Sequence, residues 1–375
     1  MGYHCQIRLS QVCPKLSQAR TCFNCKKLIQ MTKEEFKKLA SDYLRAELWE
    51  ELTDSDVFGV ELEDGRIAYC CVMGNSGIHK GLGIYVGKRG FRTYLDQINK
   101  DNANDRKVVF DRMATFEDMQ VTYDENGSVQ WWSHHPHLVP SPENSTEEEL
   151  GIMCQAIKAC IGLRKLIDAK DGDVVSLGFD EYEEYPTKEG GKDAPLIKTE
   201  GKGYSCTITQ LPAYDRSDEE QLKQLADAEV CSDRFKADLS LLQGLRKAGT
   251  LQCRLIHPPT PVKENENTPG YYPLWLFTVN KGDGRIVQTE TVRLGDDMGV
   301  YAILANLCEV MYRQGHQPLQ ISVPNEATEC LLKAFCQRQR IKLVRERLPL
   351  RELNEAWEGM FAYFDRDNKA DLLLN

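Results

Sequence analysis

No stretch of the 375-residue sequence strings together the ~18 apolar residues that a membrane-spanning helix needs. The N-terminus, interrupted by Arg8, Lys15 and Arg20, lacks the apolar stretch of a secretory signal. Both absences point to a cytoplasmic protein with no membrane partner. An excess of basic charge is missing too. The formal net charge is −10, and a field of that sign opposes non-specific attraction to phosphate backbones. Nor does any spacing of a nucleophile with its base, or any constellation of metal ligands, stand out. These absences together favour a non-enzymatic interaction or regulatory protein with a protein partner and no required cofactor. Nucleic-acid association is the alternative, and an enzyme with an unfamiliar site the third reading.

Hydrophobic residues at 41% and charged residues at 28% make an ordinary globular composition. The length exceeds what one core usually supports, so two domains are expected. Of the 14 cysteines, most sit singly inside apolar patterns: Cys70 and Cys71 in a strand, Cys154 and Cys160 on a helix, Cys308 and Cys336 likewise. Buried free thiols behave as small hydrophobes, and a reducing compartment keeps them so.

The periodicities predict an α+β protein. Residues 1–30 form a Cys-rich leader or disordered segment, and a start at Met31 would give a self-contained chain. Residues 31–212 form an N-terminal α+β domain. It opens on a helix capped by Thr32, with Phe36, Leu39, Tyr43 and Leu44 at helical spacing. A hairpin turns at Asp64-Gly65 and a second at Asn126-Gly127. Between them lie a strand Leu82 to Val86 and a helix Phe91 to Ile98. Thr146 with Glu149 reads as the capping box of a long helix. The strands Asp173 to Phe179 and Tyr204 to Leu211 flank an exposed loop rich in Glu, Lys and Gly.

Residues 213–250 read as a helical connector. Residues 251–375 give the order βββαβαβα, with helix boundaries at Gly315, at Pro324-Asn325 and near Pro349. That order resembles the ribonuclease H-like fold, whose chemistry implies several carboxylates converging on two metal ions. Leu251 to Ile256 and Leu319 to Val323 contain no acidic residue, Glu326 and Glu329 fall beyond the latter strand, and Asp365 has no visible partner. The resemblance therefore implies the fold without its metal site. Over roughly residues 31–365 the chain is similar to bacterial proteins built of two successive domains of unknown function. The carrying residues are Val72-Met73-Gly74, Gly81-Leu82, Tyr85, Gly87 and Gly90 in the first domain, and Gly315 with Ile321 to Leu348 in the second.

Four places invite a functional reading. Cys22-Phe23-Asn24-Cys25 offers a two-thiolate turn that Cys5 and Cys13 would complete into a zinc site; the competing reading is an unstructured leader. Gly74 to Gly83 suggests a phosphate loop, but it links strands instead of opening a helix, and glycines in a twisted loop explain it as well. Trp131-Trp132-Ser133-His134-His135-Pro136-His137 gathers metal-binding and stacking side chains. Against that, no acidic ligand is adjacent in sequence, and an exposed strand end with its tryptophans packed inward accounts for it. Lys333, Arg338, Arg340, Lys342, Arg345, Arg347 and Arg351 stand against the single acid Glu346, a strip able to neutralise several phosphates. The alternative is a solvated face with salt bridges to Asp180-Glu181-Tyr182-Glu183-Glu184 of the first domain.

Overall fold

Two sheets organise the molecule, each formed because runs of β-branched and aromatic residues fall between turn residues. The computed structural model describes residues 33–77, 79–98, 114–140, 145–182, 184–258, 261–263, 265, 270–288, 291–292, 299–360 and 362. The Thr32 cap, the leader and Asp365 lie outside them. No helix among the described residues is long and apolar enough to cross a membrane.

The first sheet has seven strands: β1 (Val57–Glu61), β2 (Ile67–Met73), β3 (Gly81–Val86), β4 (Asp118–Tyr123), β5 (Val129–His134), β6 (Asp193–Glu200) and β7 (Gly203–Gln210), in the order β5-β4-β3-β2-β1-β6-β7. All neighbours are antiparallel except β1 and β6. On one face α1 (Lys33–Ala46) and α3 (Glu147–Asp168) bury Phe36, Tyr43, Met153 and Ile157 against Phe58, Leu82 and Trp131. The capping box of α3 is formed as read: Glu149 N–H donates to Thr146 Oγ1 and Thr146 N–H to Glu149 Oε2.

On the other face α2 (Gly87–Ile98) packs Phe91, Tyr94 and Leu95 on Tyr69 and Tyr85. The approach is close. A Cβ on Gly90 would sit 2.7 Å from the Tyr85 carbonyl carbon, so only glycine fits at this helix position.

Two expectations for this unit fail. Val175–Leu177 is one turn of 3₁₀ helix instead of a strand. Asp173 accepts from the Ser176 N–H and Gly178 takes φ 95°, so a local side-chain bond and a left-handed stop compete successfully with extension. Conversely, β6 arises inside the stretch read as a loop. Pro195 argues against a strand, yet Ala194, Leu196 and Ile197 supply enough burial for pairing with both β1 and β7.

The second sheet comprises β9 (Thr250–Ile256), β10 (Leu274–Asn280), β11 (Ile286–Gln288), β14 (Gln320–Val323) and β15 (Lys342–Arg345) in the order β11-β10-β9-β14-β15, with β12 (Thr291–Val292) also pairing β10. A two-stranded pair, β8 (Arg246–Lys247) with β13 (His316–Gln317), stands apart. The first three of the path are antiparallel, while β9, β14 and β15 run parallel. β11 and β12 both lie within the expected third strand and pair with β10 in the same antiparallel register.

On one face lie α4 (Ser217–Cys231), α5 (Asp233–Ser240), α6 (Gly299–Gln314) and α7 (Glu326–Gln339). The segment expected as a connector is thus part of this core: Ala226, Val230, Phe235 and Leu239 pack with Leu304, Leu307 and Phe335. On the opposite face the helix α8, residues 351–360, buries Leu353 and Trp357 against Ile256, Phe277 and Val279. The fold is mixed α+β.

A candidate ligand cleft between the two units

The two units meet along a short backbone ladder. Leu138 bridges Tyr271 in antiparallel fashion. The Tyr272 N–H donates to the His137 carbonyl at 2.8 Å, and the Val139 N–H to the Gly270 carbonyl at 2.9 Å. A second fastening comes from Arg92 of α2, whose guanidinium grips both Glu219 oxygens of α4 at 2.8 and 3.0 Å. It also lies 4.9 Å from the centre of the Tyr214 ring, whose hydroxyl donates to Asp96.

Between these fastenings opens a cleft of about 1340 Å3, larger than the ~300–1,000 Å3 of ordinary small-molecule sites. Its walls come from α2 and the 115–137 region on one side. On the other side are α4, the ends of β9 and β14, the start of α7, and α8. The chain leaves β9 toward β10 at one side and β14 toward β15 at the other, so the gap between β9 and β14 is a switch point. Open sheets with parallel strands hold ligands in the crevice at that place, outside the carboxyl ends.

Local bonding fixes this end of the sheet. Asn325 caps α7 by accepting from the Thr328 N–H at 3.0 Å. The Thr328 hydroxyl donates to Asn325 Oδ1 at 2.6 Å and accepts from the Leu255 N–H at 2.9 Å. The positive end of α7 is therefore tied to β9 beside the cleft.

Two histidines face each other across the junction, with ring centres 5.0 Å apart. His257, at the end of β9, is 4% exposed. Its Nδ1 lies 2.9 Å from the Pro273 carbonyl, an oxygen that can only accept, so Nδ1 carries a proton. His137 has φ 66°, a left-handed conformation uncommon for a side-chain-bearing residue, held by the backbone bonds on either side of it. Burial foremost, then His257 and Arg89, push its pKa down to about 4, so the ring is neutral near pH 7. Its Nδ1 is buried and has no hydrogen-bond partner among the described residues.

Most of the acids in the lining are already neutralised. Arg89 lies 3.2 Å from both Glu117 and Asp218. Glu229 is held by Arg234, and Glu326 by Arg216 and Arg345.

The residues singled out from sequence are distributed differently. Cys5, Cys13, Cys22 and Cys25 lie outside the described residues, and no group of three potential metal ligands occurs among those described. In the basic strip, Lys333, Arg338, Arg340, Lys342, Arg345, Arg347 and Arg351 are all exposed. Arg345 faces Glu329 at 3.2 Å and Arg351 faces Glu355 at 2.8 Å. Arg338 donates to the Val230 carbonyl, and Arg340 takes φ 53° at the end of α7. The ion pairs are thus with acids of the same unit, whereas Asp180 pairs with Lys192.

The glycine loop joins β2 to β3 and opens no helix. In the tryptophan–histidine stretch Trp131 is fully buried, and His134 is buried instead of exposed. Asp118 stands 2.8 Å from His134 and Glu149 3.0 Å from His135. The acids absent from the local sequence arrive from β4 and α3, leaving only His137 in the cleft. Arg92, Arg254 and His257 were missed. The available signal was an arginine inside the otherwise buried strand Leu251-Gln252-Cys253-Arg254-Leu255-Ile256.

Residues 34–130 match the model of a domain of unknown function (DUF7309), and residues 240–361 match that of another (DUF6930). No curated protein and no solved structure matches the chain. The chain carries two successive domains of unknown function; Arg89 and Arg92 fall in the first matched stretch, Arg254, His257 and Trp357 in the second, and His137 in neither.

Proposed function

We propose that this chain is a regulatory ligand-binding protein that takes a small molecule between its two units, the second unit being a ribonuclease H-like scaffold that serves as one wall of the site. The observation that carries the reading is the position of the cleft at the carboxyl ends of β9 and β14. The scaffold assignment is supported by the strand order, with α6 and α7 on one face and α8 on the other. Where such a fold would place carboxylates for metals, the centre strand presents Gln252. Its amide bonds Glu352 and the Leu353 N–H of α8 and so serves packing. Because the ligand would touch both units, its binding would set their relation and thereby the surface offered to a protein partner.

The test is thermal unfolding of the full chain against a panel of nucleoside monophosphates, sugar phosphates, dicarboxylates and aromatic amino acids, followed by hydrogen exchange. A ligand at a hundredfold excess over Kd adds about 2.7 kcal/mol and should protect the amides around His137, His257 and Asn354. Asn354→Trp, which places an indole in the cleft from α8, should abolish both effects. No stabilisation by any member, or stabilisation undiminished in Asn354→Trp, would refute the reading.

A further inference from the structure

Resting on that reading, we infer that the part of the cleft lined by His137, His257, Arg254 and Arg89 is a subsite for an oxyanion, a phosphate or carboxylate group of the ligand. Four observations converge on it. Two imidazoles from different units stand with ring centres 5.0 Å apart, close enough for one oxyanion at their edges to accept from both when each carries a proton toward it. Arg254 lines the same cleft three residues before His257, and guanidinium groups match oxyanions in charge and shape. Of the lining acids, Asp96, Asp218, Glu219, Glu229 and Glu326 each face an arginine already, which limits the negative charge that opposes an incoming anion, Glu358 being the sixth acid of the lining. The start of α7, capped at Asn325, adds the positive end of a helix to the same rim.

The depressed basicity of His137 agrees with this arrangement. Burial is its main cause, but His257 and Arg89 contribute, and the potential that repels a proton there attracts an anion. An anion bound at the pair would relieve that repulsion and draw a proton onto His137, so binding and protonation should be linked. The groups facing His137 are His257 at the end of β9 and Arg89 of α2, with the Glu117 and Asp218 carboxylates on the far side of Arg89.

Imidazole resonances of the full chain, labelled at histidine, would be followed against pH with inorganic phosphate in one arm and succinate in the other. Either anion should raise the His137 midpoint by about one unit, which corresponds to roughly tenfold tighter binding to the protonated ring. The arm with the larger shift identifies the group. Arg254→Gln should weaken anion binding at least about tenfold, Arg254→Lys should restore part of it, and the remote Arg351→Gln should leave it unchanged. If neither anion moves His137, or if Arg254→Gln binds as well as the unmodified chain, the oxyanion subsite is wrong. A neutral panel member bound in the cleft would then leave the ligand-binding reading standing, whereas no ligand of any kind would remove both.

Discussion

At the scale of single residues, His137 combines three features that seldom coincide: a left-handed backbone, a buried nitrogen without a partner among the described residues, and a pKa pushed down to about 4. Backbone strain and a perturbed titration together mark functional positions more often than structural ones. They also have a stability consequence. An unfolded histidine titrates near ~6.5, so between that value and about 4 the unfolded chain binds a proton that the folded chain refuses. The contribution is complete above the unfolded value, declines as pH falls, and is gone below the folded one, a loss of about 3 kcal/mol at most. Asn tolerates the left-handed region and does not titrate. Urea unfolding of the full chain and of His137→Asn should therefore give stability curves that converge or cross toward about pH 4, since other acids titrate equally in both. Curves that stay parallel across the range would show that His137 does not titrate in this way.

The buried thiols illustrate the opposite outcome at the same scale. Burial pushes Cys253 up to about 12 and Cys154 to about 11. Their nucleophilic thiolate forms are suppressed, in line with a purely apolar role.

At the scale of elements, local signals were legible wherever one short stretch contained the whole cause. Thr146 with Glu149, Asp64-Gly65, Asn126-Gly127 and Asn325 each announced a cap or turn that the structure contains. Elements decided by distant partners were not legible: β6 owes its strand to two neighbours, and the helices at 217–240 owe their burial to α6 and α7. The same limit hid the site. No sequence spacing links His137 to His257, and both the Arg92 clamp and the acids beside His134 and His135 come from other elements.

One further element-scale link is Thr328. Its hydroxyl satisfies the buried Leu255 N–H and completes the α7 cap. Thr328→Val keeps the shape and removes the acceptor, leaving a buried donor unpaired at a cost of about 1–3 kcal/mol. Denaturant midpoints should shift accordingly, with faster exchange of the Leu255 amide. A stability within a few tenths of the parent, with Leu255 still protected, would mean that another group satisfies that amide.

At the scale of the whole molecule, the question is whether the two cores behave as one body, and Arg92 is the residue on which that turns. Backbone bonds at 137–139 fasten one side of the junction. On the other side the Arg92 guanidinium joins α2 to Asp218 and Glu219 of α4 while pairing with Asp96 of its own helix and lying over Tyr214, and Arg89 of α2 also reaches Asp218. Its side chain is 17% exposed and that of Glu219 12%. Removing one partner therefore strands a largely desolvated charge, a loss of about 3–5 kcal/mol for a fully buried pair and less for one that retains some solvent. Because the partners that Arg92 would leave behind, Asp218 and Glu219, belong to the other unit, the loss should fall on the junction more than on either unit. Arg92→Met should accordingly split one calorimetric transition into two and increase the radius of gyration in solution, with the helical content unchanged. It should also weaken any ligand of the cleft, since a site built from both units requires them to be held in register before the ligand arrives. A single transition at an unchanged radius would mean that the ladder at 137–139 and the Arg89–Asp218 pair suffice, and the cleft would then be a rigid feature instead of one that a ligand can close.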